Sequence, residues 1–247
     1  MAVEQFVFRI MGMFVGVLVC YFSYGLLKAT RGASKGWLYF TITGLMLSAW
    51  TVFMTIFTLI DVPMGRVITS ILFIPGSIVL AASFARLAND FGMSTPSWLT
   101  ARNIWISNGV LLLVLFSTAF YLKRSDPLSV LVSVIILDAV IANVIAIIGT
   151  YYMYRSSKRK IWLSLMIFAL FFMLGQFSCF YSGNCCSEGA IFEDNAACTG
   201  FELDYIQVFP IPCSDLPVNL SRMGYNLLSI AAILMVGNFY YLWKKLA

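Results

Sequence analysis

Apolar runs of about 20 or more residues recur along the whole chain, and nothing else in it constrains the fold as strongly. At about 1.5 Å per residue, each run is long enough as a helix to cross a hydrocarbon core of about 30 Å. Composition agrees: 61% of residues are hydrophobic and 11% charged, against roughly 45–50% and 25% in an average soluble domain. The expectation is an all-α polytopic membrane protein. Spans are predicted near 6–28, 37–60, 66–88, 104–122, 128–154, 161–182 and 219–243, a seven-transmembrane-helix bundle. A membrane barrel alternates apolar with polar residues, and stretches such as Val110 to Leu115 do not.

The first run has no basic n-region beyond Arg9 and no A-x-A-like site after it. It is also too long for a signal peptide, and is read as a retained helix. Connections are short, no internal repeat or low-complexity tract is visible, and neither end carries a soluble domain. One seven-helix domain over 1–247 is therefore expected, with a single sizeable non-membrane piece at 183–218.

Short loops rich in Lys and Arg stay in the cytoplasm. With seven crossings, Lys28, Arg31, Lys35, Arg86, Arg102, Arg155, Lys158, Arg159, Lys160, Lys244 and Lys245 all fall on one side. Arg9, Arg66, Lys123, Arg124 and Arg222 fall on the other, several of them beside Asp61, Asp126 or Asp215. The prediction is N-terminus outside and C-terminus cytoplasmic. The boundary at Pro63 also admits a re-entrant hairpin between the second and third runs.

The 183–218 segment carries Glu188, Glu193, Asp194, Glu202, Asp204 and Asp215 with no Lys or Arg, which assigns it to the non-cytoplasmic face. It also holds four of the six cysteines: Cys185, Cys186, Cys198 and Cys213. In an oxidising compartment such a set predicts two disulfides. Adjacent cysteines rarely bond to each other, so Cys185 and Cys186 are expected to pair separately with Cys198 and Cys213 in either order. Each closure, of roughly 13 to 28 residues, would stabilise by about 3 kcal/mol. A metal site is the weaker alternative, since C-x₂-C pairs are missing. Cys179 at the membrane edge is a possible fifth participant, and Cys20 reads as a buried small residue. The Cys-Cys pair with two later cysteines is similar to the large loop of tetraspanins over Cys185 to Cys213 alone. It departs at Ser187, where that motif has glycine, and that family has four spans.

The chain contains no histidine. Histidine-ligated haem, copper or zinc, Ser-His intramembrane proteolysis and histidine proton relays therefore lose their central residue. No lysine lies inside a span, which excludes a retinal Schiff base of the usual form, so the likeness to rhodopsins and G-protein-coupled receptors is one of topology only. Two-aspartate proteolysis lacks its second buried carboxylate, and no nucleotide fingerprint occurs. No enzyme activity, cofactor, metal or nucleic-acid partner is expected.

Asp138, in "VIILDAVIAN", stands near the middle of the fifth span. A carboxyl group there costs about 2.5–3.5 kcal/mol on insertion scales, which makes a functional role the default reading and an interhelical hydrogen bond the structural one. Asn143 lies about 140° further around the same helix, so the two do not share a face. Asn108, Gln176, Asn226 and Asn238 are the other amides in or near the spans, each able to meet Asp138 across a bundle. Gly12 and Gly16 form a GxxxG pair for close helix packing. Pro75, followed by Gly76, is expected to kink or loosen the third helix. Arg155, Lys158, Arg159 and Lys160 suit anionic lipid headgroups, and tryptophans and tyrosines near span ends suit the interface.

Two functions are consistent with these residues. One is a noncatalytic accessory subunit or receptor-like sensor in a membrane with an oxidising outer face, such as the plasma membrane, recognising a protein partner through the Cys-rich loop. The other is a small ion or solute transporter or channel using Asp138 at the midplane.

Overall fold

The computed structural model describes residues 3–59, 63–122, 127–186 and 217–246. Among these, every regular element is an α-helix: α1 Val3–Ala29, α2 Gly36–Leu59, α3 Pro63–Asp90, α4 Ala101–Leu122, α5 Pro127–Ser157, α6 Lys160–Cys186 and α7 Pro217–Leu246. Each predicted run is a helix, longer than expected by a few residues at most ends, because helices continue past the apolar core into the interface. The third begins at Pro63, where a missing N–H is harmless. It is assigned as helix without a break through Pro75 to Asp90.

Among the described residues, six helices are long and apolar enough to cross a membrane. Residues 77–85 of α3 are all buried, as are Leu87 and Ala88, so this half is walled by protein on every side. Small residues such as Ala81, Ala82, Ser83 and Ala85 are what a surrounded helix needs.

Neighbouring helices pack in the order α1, α2, α3, α5, α6, α7, and α7 returns to α1, so six helices close a ring. Helix α4 stands outside it, packed on α3 and α5. Its described buried residues are Ile104 and Asn108, while Trp105, Ile106, Val110, Leu113 and Val114 face outward.

The end where α1, α3, α5 and α7 finish and α2, α4 and α6 begin carries most of the Lys and Arg residues. An aromatic cluster fixes it. Phe40 of α2 meets Phe84 of α3 at 4.9 Å and Phe239 of α7 at 4.8 Å between ring centroids, both edge to face, and Trp37 adds to the same group. The seam between first and last helices lies close by: Phe22 packs on Tyr240 and Trp243, and Trp243 fills the notch left by Gly25.

Asp90, the last residue of α3, latches this end. Its carboxylate accepts hydrogen bonds from Ser34 Oγ at 2.8 Å and the Lys35 amide at 3.0 Å, and pairs with Arg86 at 2.9 Å. The α1–α2 turn is thereby tied to α3. That turn reverses through left-handed residues, Arg31 at φ 49° and Gly32 at φ 73°. The α5–α6 turn is tighter, with only Lys158 and Arg159 between the helices and Lys158 at φ 55°.

Candidate functional site

The interior polar residues fall into two groups separated by the arc of α5. Asn143 and Thr150 lie at one edge of its buried face, Asp138 and Gly149 at the other, since eleven residues return a helix to within about 20° of the same direction. The nearest neighbours across from Gly149 are Phe84 of α3 and Leu99 of the α3–α4 connection. The Asn143 edge faces α6.

On that side a bonded chain crosses three helices. The Asn143 Nδ2 donates to Gln176 Oε1 at 2.6 Å and to the Ala139 carbonyl at 2.8 Å, and Gln176 Nε2 reaches Ser77 Oγ at 3.5 Å. Gln176 is thus engaged with Asn143 and Ser77. It does not meet Asp138, because the two residues lie on different sides of α5.

Asp138 is completely buried, and neither carboxylate oxygen has a hydrogen-bond partner among the described residues. Buried polar atoms are satisfied in the great majority of cases, so this one is an exception in need of a reason. Asn108, on α4, donates to the Ile104 carbonyl at 2.8 Å and leaves its Oδ1 unpartnered. Asn238 is buried on α7 with its Nδ2 unpartnered. Asn226, grouped with these amides from sequence, is instead on the exposed face of α7. None of the four amides proposed as partners bonds to Asp138.

Between α1, α2, α3, α6 and α7 lies a partly open cavity of about 40 Å³. Its walls are mainly apolar, with Met46, Leu80, Phe168, Phe172 and Met235 prominent. Ser77, the end of the polar chain, also borders it. That volume exceeds what one water requires, but the mainly apolar walls offer a water few hydrogen-bond partners.

Gly12 and Gly16 lie against α2, at Thr51 and at Gly44 with Ser48. Arg155, Lys158, Arg159 and Lys160 are all exposed at the α5–α6 turn, with Lys158 Nζ 5.9 Å from the Tyr154 ring centroid. Cys185 and Cys186 occupy the last turn of α6 where a loop was expected. Cys198 and Cys213 lie outside the described residues, as do the acidic residues between them. Among the described residues no three Cys, Asp or Glu side chains come together as metal ligands would.

Three features carried little signal in the sequence. Arg9 is buried in α1 at 4% exposure, although it was counted with an outer loop. The Asp90 latch joins residues 55 and 56 positions apart, and only the Arg86–Asp90 spacing of four hinted at it. At Gly175 of α6, an added Cβ would stand 2.7 Å from Leu228 and 2.9 Å from the Gly224 carbonyl of α7, a close crossing with no GxxxG pattern to mark it. No family model, curated protein or solved structure matches the chain.

Proposed function

We propose that this chain is a noncatalytic multi-pass membrane protein that acts as an accessory subunit or receptor-like sensor, oriented with the Cys-rich acidic segment outside. Its disulfide-stapled 187–216 region, with Cys185 and Cys186 at its threshold, is the partner-recognition surface in this reading. The observation that supports it best is the interior of the six-helix ring. A cavity of about 40 Å³ with mainly apolar walls suits a packed scaffold better than a hydrated path for ions or solutes.

Purification from native membranes in mild detergent tests this directly. A partner should co-isolate at fixed stoichiometry and be released by reducing agent or by Cys198→Ser with Cys213→Ser. Isolation of the chain alone, with those substitutions changing nothing, overturns it. An impermeant maleimide applied after reduction should label the cysteines in right-side-out vesicles, and labelling confined to inverted vesicles overturns the orientation.

A second reading is favoured by one observation, the unpartnered carboxyl oxygens of Asp138. An intramembrane carboxyl kept without a partner suits a group that exchanges a proton or cation, and the chain is then a small transporter. Asp138→Asn should then abolish proton- or sodium-coupled flux in proteoliposomes while leaving the fold intact. Unchanged flux removes Asp138 from any such mechanism.

A further inference from the structure

The direction in which Asp138 is covered follows from the turn of α5. Exposed Val144 and Tyr151 lie about 120–140° from it in one sense, and Asn143, bonded to Gln176 of α6, lies about 140° in the other. The helices packed on α5 are α3, α4 and α6, so α3 and α4 are the two that wall Asp138. The central cavity is lined from α1, α2, α3, α6 and α7 and by no residue of α5. Asp138 thus belongs to the junction of α3, α4 and α5, on the flank of the ring.

Of these walls, α4 is the one least held. Only 11% of its span is buried, against 33–50% for the other five apolar spans. Its inner end is pinned, since Asn89 Nδ2 donates to the Leu99 carbonyl at 3.3 Å and Thr95 Oγ1 donates to Asn89 Oδ1 at 3.0 Å. A swing about that end widens with distance from it. Asp138 lies eleven residues, or about 16 Å, along α5 from Gly149, the residue beside Leu99. The covered face of α4 is also polar at one point, where Asn108 is 1% exposed.

The atoms left without partners here are all acceptors: Asp138 Oδ1 and Oδ2, and Asn108 Oδ1. Acceptors buried without a donor call for positive charge. None of the three has appreciable accessible surface, so the packed arrangement has no room at them for water or a metal cation. A proton needs none. Nothing described nearby replaces it: residues 77–85 of α3, Ile104 and Asn108 of α4 and Gln176 of α6 are uncharged, while Arg86, Asp90 and Arg102 lie at the basic end.

We infer that Asp138 is a proton-binding site gated by α4. With α4 packed, the carboxyl holds its proton and is neutral; when α4 swings away from α3 and α5, water reaches the carboxyl and the proton passes to it and back. This deepens the second functional reading, and shares with it the unpartnered carboxyl of Asp138. It does not require transport, because a gate that opens to one side exchanges protons without carrying them across.

Infrared difference spectra of the intact protein in liposomes, wild type minus Asp138→Asn at neutral pH, test this. They should show the carbonyl stretch of one protonated carboxylic acid, shifting slowly on transfer to heavy water. Ile104→Ala, on the covered face of α4, should speed that shift at least about tenfold by weakening the packing of α4. Ile104→Val, a smaller cut, should speed it by less, and Leu80→Ala, at the central cavity, should leave it unchanged. Absence of the band overturns the proton site. Equal rates in wild type and both Ile104 variants, or a faster shift in Leu80→Ala alone, overturn the gate. Loss of the band when sodium chloride replaces choline chloride assigns the site to a cation and overturns the proton. If the band and the Ile104 effects stand while Asp138→Asn leaves flux unchanged, the transporter reading falls and the gated site remains.

Discussion

Gly16 of α1 and Gly44 of α2 meet backbone to backbone. A Cβ at Gly16 would stand 2.6 Å from the Gly44 carbonyl oxygen, and one at Gly44 would stand 2.7 Å from the Gly16 carbonyl oxygen. Neither obstacle is a side chain that can rotate away, so the helices would have to separate. Gly16→Ala and Gly44→Ala should each destabilise by about 1–3 kcal/mol, the usual range for overpacking. Gly109→Ala is the control. Its surroundings on α4 are open, so it should stabilise by up to about 1 kcal/mol through helix propensity. Thermal unfolding in detergent distinguishes the three, and equal behaviour would argue against the observed α1–α2 spacing.

Asp138→Leu should raise thermal stability. The carboxyl has no partner among the described residues, and replacing it with an apolar side chain removes a burden of up to about 3 kcal/mol. A lower unfolding temperature would show that the carboxyl is bonded in the native protein. Asp138→Leu thus reports on structure, and the flux of the asparagine variant reports on transport.

The Asn143–Gln176 bond predicts measurable coupling between α5 and α6. Each single change to alanine should destabilise, and the double change should cost less than their sum by about 0.6–1.7 kcal/mol, the range of interhelical hydrogen bonds in membranes. Additivity within error would mean that the 2.6 Å bond contributes nothing net. Asp138→Ala combined with Gln176→Ala should be additive, since the two lie on different sides of α5.

Loss of the Asp90 latch should loosen one turn before the fold. Asp90→Ala removes the acceptor for Ser34, the Lys35 amide and Arg86. The expected cost is about 1–3 kcal/mol, reduced because the site is partly solvated. Limited trypsin digestion should then cut sooner at Arg31 or Lys35, with Asp90→Asn intermediate because its Oδ1 can still accept. Unaltered cleavage in both variants would place the turn's order elsewhere.

The positions of the helices were legible because a helix in hydrocarbon must satisfy its own backbone and be about 20 residues long, two requirements that leave a plain mark in sequence. The run at 66–88 marked α3 in the same way. What separates lipid-facing from protein-facing surface is weaker, because lipid and leucine are equally apolar. Hence nothing in "GVLLLVLF" announces that α4 stands outside the ring, and Asn226 reads like Asn143 although one is exposed and the other buried. The candidate site was legible only as single residues. Asp138 was recognisable by its charge, but its neighbours depend on how α5 is rotated between α3 and α6. The burial of Trp37 and Trp162 was hidden for a related reason: both tryptophans fit an interfacial belt in sequence, and only tertiary packing turns them inward.

The seam where Trp243 fills the notch at Gly25 has a consequence for biosynthesis. Helices α1 and α7 are partners, so the Phe22–Gly25 surface of α1 must wait uncovered by α7 while everything between them is translated and inserted. Ring closure then waits for the synthesis of α7. A nascent chain stalled before residue 217 would be an open arc, its α1 and α6 faces still uncovered by α7.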